Sequence, residues 1–84
     1  MKVYYHPRFT NSYQKLSLLI KNKAEAKELI FRKNPFDSRL KTHKLHGKVK
    51  NLWSFSIDAK YRVVFEFDNS DVILLNIGNH KIYQ

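Results

Sequence analysis

Cysteine is missing altogether from these 84 residues, which excludes a disulfide framework and any thiolate metal site. Glycine and proline occur only twice each, so no glycine-rich phosphate loop exists, and there is no His-Glu-x-x-His pair, Cys-His cluster or serine elbow. These gaps argue against a metalloenzyme or a nucleotide hydrolase. No apolar run reaches the length of a membrane span, and Met1-Lys2-Val3-Tyr4-Tyr5-His6-Pro7 holds no stretch suited to a signal peptide. A soluble, unprocessed, cytoplasmic chain with no membrane partner and no cofactor is the expectation. Acidic residues are also scarce, seven against sixteen Lys and Arg, a net charge of +9. So unbalanced a chain repels itself unless an anionic partner or solvent ions neutralise it.

What is present suits a folded domain. The chain is 43% hydrophobic and 14% aromatic, unlike disordered sequences, and it is too short to divide its apolar side chains between two cores. One domain over residues 1–84 is expected. Val3, Tyr4 and Tyr5 form a short strand stopped by His6-Pro7. Phe9, Tyr13, Leu16, Leu19 and Ile20 recur at helical spacing and predict an amphipathic helix over roughly residues 8–21. Asn22-Lys23 reads as a break before a second helix, Ala24 to Arg32, which Asn34-Pro35 ends. The two helices should form a hairpin.

From Leu45 onward the period becomes two. Trp53, Phe55 and Ile57 alternate with Ser54, Ser56 and Asp58; Val63, Phe65 and Phe67 alternate with Arg62, Val64 and Glu66. Val72 to Ile77 is apolar on both faces and reads as an interior strand, while the lysine-rich run from Lys41 to Lys50 reads as a strand with a solvated basic face. The expected fold is α+β, ordered β-α-α-β-β-β-β.

Alternation sets the aromatic face of the strands against the helices, leaving Ser54, Ser56, Arg62 and Glu66 on an opposite, open face. A guanidinium fixed on a sheet suits a phosphate, because its planar donors stay charged and can engage two oxygens. His80 follows Gly78-Asn79 beyond the last apolar strand, where an imidazole has no packing duty and is free to move protons. His43 and His46 are three apart; in a strand they face opposite ways, so at most one serves the same site. His6, before a proline at a strand-helix junction, reads as local structure. Imidazoles and guanidinium on a small sheet in a basic protein suit gripping or cutting a phosphodiester chain, and RNA is the expected partner.

The segments Leu40-Lys41-Thr42-His43-Lys44-Leu45-His46-Gly47, Leu52-Trp53-Ser54-Phe55-Ser56-Ile57, Tyr61-Arg62-Val63-Val64-Phe65 and Ile77-Gly78-Asn79-His80, in that order, resemble the RelE/ParE superfamily of toxins from bacterial toxin–antitoxin systems. The resemblance covers nearly the whole chain. It implies a curved antiparallel sheet with a two-helix hairpin on one face. In the RelE, YoeB and YafQ branches it implies a metal-free endoribonuclease that cuts mRNA in the ribosomal A site. Arg62 would then contact the scissile phosphate, and His80 matches the C-terminal acid/base histidine of the YoeB and YafQ branches. His43 or His46 would supply the base or a stabilising group, with His43 favoured. The YoeB-like glutamate has no clear counterpart, and Lys81 stands where YoeB-like chains have tyrosine; Tyr83 substitutes only if the tail folds back. Lys41, Lys44, Lys48, Lys50, Lys60 and Lys81 would hold rRNA and message by charge. The implied protein partner is an acidic antitoxin in a hetero-oligomer. The alternative is a ParE-like inhibitor of DNA gyrase, or an inactive homologue that still binds antitoxin.

Overall fold

Val3–Tyr5 forms β1, and the chain turns directly into α1, Pro7–Gln14, because His6-Pro7 is built for a helix start. Proline at the first helical position carries the right φ and lacks only an N–H that would be unpaired there, while His6 Nδ1 accepts from the Arg8 N–H at 3.0 Å. The computed structural model describes residues 1–47 and 51–83, the side chains of His80 and Tyr83 excepted. Among these, no helix is long and apolar enough to cross a membrane.

The helix break differs from the one read in the sequence. It falls at Lys15-Leu16-Ser17, seven residues before Asn22, which lies inside α2, Leu18–Lys33. The Lys15 and Leu16 N–H groups turn back to the Ser12 and Tyr13 carbonyls at 3.2 and 3.1 Å. Ser17, in an extended conformation, then caps the new helix, its hydroxyl accepting from the Ile20 N–H at 3.3 Å. A serine cap outweighs the apolar spacing that made residues 8–21 look continuous. Asn34, driven to extended φ and ψ before Pro35, ends α2 as expected.

After a 3₁₀ turn at Ser38–Leu40 come β2 (His43–Lys44), β3 (Trp53–Ser56), β4 (Tyr61–Asp68) and β5 (Asp71–Asn79), with a final 3₁₀ turn at His80–Tyr83. The architecture is the α+β order expected. In space the strands run β1-β5-β4-β3-β2. β2 to β5 pair antiparallel, and β1 joins β5 in parallel through Val3 opposite Val72 and Tyr5 opposite Leu74, so the sheet is mixed. The basic strand read over Lys41 to Lys50 contracts to His43–Lys44; Lys48 and Lys50 lie outside the described residues.

One sheet face makes the core. Phe31 from α2 stacks on Phe55 at 4.6 Å and meets Phe65 edge-on at 4.9 Å, with Leu40, Val63, Val72, Leu74 and Ile77 buried around them. Between Val64 and Phe65 the register with β5 shifts: Val64 lies opposite Asn76 and Phe65 opposite Leu74, leaving Leu75 as an extra residue. This bulge lets Ile77 and Leu74, three apart, both point into the core.

The second face is not open, which corrects the expectation from alternation. Ser54 is 0% and Ser56 7% exposed, and Val64 is buried beside them. The chain folds its final 3₁₀ turn back over β4 and β5, and Ile82, Leu52, Leu75 and Val64 line a cleft of about 250 Å³ with His6, Arg8 and Asn76. Gly78 makes this possible: a Cβ there would stand 2.6 Å from Ile82 Cγ2.

Candidate functional site

Arg62 opens β4 and shares the second face with Ser56, its partner across the ladder to β3. One guanidinium nitrogen donates to the Ser56 hydroxyl at 2.8 Å. Because Ser56 is buried, that bond anchors the arginine while its remaining donors stay available. On the other side Arg62 lies opposite Gly78, two residues before His80, whose backbone begins the final turn. The His80 side chain lies outside what the structure describes.

The two central histidines part ways. His43 lies opposite Ser54 in the β2–β3 ladder, and directly opposed residues share a face, so His43 stands on the side of Ser54, Ser56 and Arg62. Its Nδ1 is 3.0 Å from the Lys41 carbonyl. A carbonyl can only accept, so Nδ1 carries the proton and Nε2 of the neutral ring is left bare. His46 lies beyond the strand in an exposed loop. Lys44, opposite Trp53, belongs to the other face. Lys60 and Lys81 are exposed, in the β3–β4 turn and the final 3₁₀ turn.

Arg62 and Ser56 also line a cleft of about 400 Å³ at the corner of the sheet, closed by Lys27 from α2, by Arg39 and Lys41, and by Ile57, Asp58 and Ala59. Its one carboxylate is occupied. Asp58 Oδ1 accepts from the Lys60 and Tyr61 N–H groups at 2.9 and 2.8 Å, and Oδ2 meets Lys23 at 3.4 Å. The Tyr61 N–H foremost, with Lys60 and Lys23, holds the Asp58 carboxyl below its ordinary pKa. Arg39 grips Asp37 through two parallel bonds of 3.0 and 2.9 Å, and this pulls the Asp37 carboxyl down to about 2. Lys27 donates to the Arg39 carbonyl at 3.4 Å. Among the described residues no carboxylate lies within 4.0 Å of Lys27, Lys41 or Arg62. Nor do three or more His, Asp or Glu side chains gather there where a metal ion could sit. The arrangement is a positively charged corner suited to anionic oxygen.

No family model and no curated protein sequence matches the chain. Solved structures match over almost its full length. A YoeB/ParE toxin from Agrobacterium tumefaciens superposes with a TM-score of 0.79 at 21% identity, covering 95% of this chain and 99% of that one. YafQ from E. coli superposes at 0.80 with 14% identity, covering 98% and 96%. A chain of the archaeal RelE–RelB complex from Pyrococcus horikoshii superposes at 0.75 with 17% identity, covering 93% and 92%. The fold is that of the RelE/ParE-like toxins.

Within this RelE/ParE-like fold, three residues at the charged corner escaped the reading of the sequence. Ser56 looked like an exposed polar position, and only the covering of the second face makes it a buried anchor for Arg62. Lys27 and Arg39 sit on a helix and a turn that carry no pattern of their own. The one signal for Lys27 was its spacing of four from Lys23, which puts both on one flank of α2.

Proposed function

We propose that this chain is the toxin of a type II toxin–antitoxin pair and acts as a ribosome-dependent endoribonuclease, cutting mRNA in the A site. The reading rests above all on Arg62: a guanidinium tethered by a buried serine, opposite Gly78 and two residues from His80 in the ladder, on a fold shared with YoeB, YafQ and RelE toxins. The chemistry needs no group beyond this set. His43 Nε2 takes the proton of a 2′-hydroxyl as its oxygen attacks the adjacent phosphorus. Arg62 stabilises the added charge of the pentacoordinate phosphorane. The bond from phosphorus to the 5′-oxygen breaks, His80 protonates that oxygen, and the products are a 2′,3′-cyclic phosphate and a 5′-hydroxyl end.

The ribosome supplies what a chain this small does not, a message already threaded and held, so that the chemical groups act on a positioned linkage. Exposed Lys41, Lys44, Lys60 and Lys81 attract rRNA without reading sequence; Lys48 and Lys50 belong to the same proposal. The partner is an acidic antitoxin that neutralises the +9 charge. Toxin–antitoxin complexes stand among the structures of this fold, DinJ–YafQ and RelE–RelB.

The test is to incubate the protein with ribosomes and a message and map new 5′ ends. A-site cuts from wild type, lost in the Arg62→Ala, His80→Ala double variant, are expected. No cuts from wild type, or equal cuts from the double variant, overturn the reading; inhibition of gyrase supercoiling in their place would support the ParE-like alternative.

A further inference from the structure

We propose that the corner cleft is a second phosphate subsite, in which Lys27 and Arg39, with Lys41, hold the phosphate next along a single nucleic-acid strand from the one held by Arg62. This deepens the nuclease reading and rests on it for the role of Arg62, though not for binding itself.

Charge is the first argument. Four cations converge on the cleft from four separate places: α2, the Ser38–Leu40 turn, the residue that ends that turn, and the start of β4. A solvated basic surface would spread such groups apart, since their mutual repulsion has to be overcome to gather them. Among the described residues their carboxylate neighbours are spoken for, Asp58 by backbone N–H groups and Lys23, and Asp37 by Arg39. The Asp37 fork also orients Arg39: it uses Nε and one terminal nitrogen, and the other terminal nitrogen remains free to donate.

Shape and backbone supply the second. Of the lining residues only Ile57 and Ala59 are apolar, and the other six carry charged or hydroxyl groups that can hold an occupant by ionic and hydrogen-bonding contacts. At about 400 Å³ the space exceeds a lone ion and admits a phosphate with its sugar. Lys41 sits at φ 52°, a left-handed conformation that glycine or asparagine adopts far more readily. That conformation costs a lysine backbone energy, and the side chain it carries lines the cleft. Arg62 is the shared wall: it belongs both to this cleft and to the ladder position opposite Gly78. A strand laid across it therefore runs from the Lys27 corner toward the final turn.

The test uses a fluorescein-labelled deoxyhexanucleotide, which lacks the 2′-hydroxyl and is not cut, with anisotropy read over a salt series. Lys27→Met with Arg39→Gln keeps side-chain bulk and removes two charges. The pair should weaken binding about tenfold and flatten the log K against log salt slope by about 0.7, the value for one single-strand phosphate contact. Lys2→Ala with Lys15→Ala, far from the cleft, should leave the slope near wild type. Equal slopes for the two pairs, with circular dichroism confirming that both are folded, overturn the subsite. Lys41→Gly, which suits the local backbone, serves as a second variant and should flatten the slope by about half as much; an unchanged slope counts against Lys41 in the site. Ribosomal cleavage is scored separately. A flattened slope with no cleavage by wild type keeps the subsite and sinks the nuclease, whereas cleavage with unaltered slopes does the reverse.

Discussion

The two flanks of α2 carry opposite charges, and they use them differently. Toward α1 the helix presents Glu25 and Glu28 to a cleft walled by Tyr5, Phe9 and Tyr13. There the carboxylates and phenols are engaged: Tyr5 donates to Glu28, Arg32 donates to Tyr5 at 3.1 Å and to Glu28 at 3.2 Å, and Tyr13 donates to Glu25 at 3.2 Å. Burial first, then the Glu28 carboxylate, push the Tyr5 phenol above its ordinary pKa. Toward β3 and β4 the same helix presents Lys27, whose only hydrogen-bond partner among the described residues is a carbonyl. A closed network consumes its charges to hold helices together; an open one leaves them for something that arrives. Net charge alone does not distinguish these uses, and partner-by-partner inspection does.

The sharpest way to break the contrast is Arg62→Ala. It should lower cleavage by about 10²–10³-fold, as loss of one transition-state donor does, while the urea midpoint stays near wild type; a large loss of stability instead would make Arg62 a structural residue. Tyr5→Phe probes the other flank. It should cost about 1 kcal/mol in urea unfolding and leave oligonucleotide binding unaltered, and weakened binding would mean the flanks are not independent. Lys41→Gly should separate the two properties by sign, gaining about 1 kcal/mol of stability by releasing the left-handed backbone while binding weakens. Parallel falls in both would refute the strain argument.

The smallest effect concerns acid. The folded pKa of Asp58 lies below its unfolded value of about 3.9, so the unfolded chain takes up the proton first. This carboxylate stabilises the fold above about pH 4 and loses that contribution as the pH falls through the folded pKa. Asp37, at about 2, behaves alike down to that pH. Asp58→Asn should flatten the fall of the thermal midpoint as the pH drops below about 4; an unaltered pH profile would show that the β3–β4 turn does not depend on the charge.

Much of the architecture was legible because period-two alternation is a strong signal. Phe55, Val63, Phe65 and their polar neighbours gave the strands and the correct inner face, and Asn34-Pro35 gave the helix end. The helix break was not, because Leu19 counts toward an apolar stripe although it is 64% exposed, and the Ser17 cap has no part in that spacing. Alternation also says which side a residue takes and nothing of what covers that side, which is why Ser54 and Ser56 were read as solvated. The candidate site was half legible: Arg62 and the histidines carry chemistry in their residue types, whereas Lys27 and Arg39 gain meaning only from a neighbour more than twenty positions away.

Leu75 has a consequence for how this chain tolerates change. As the unpaired residue of the bulge, it separates β5 into two stretches whose inward positions follow opposite parity: Val72 and Leu74 before it, Ile77 after it. Deleting it would make Leu74 and Asn76 consecutive, opposite Phe65 and Val64, and simple alternation would then keep both Leu74 and Ile77 inward. The hydrophobic half of the strand and the half that leads to His80 are thus joined through one extra residue, and a single-codon loss there would leave the inward positions in place and remove the local bend and twist that the bulge adds.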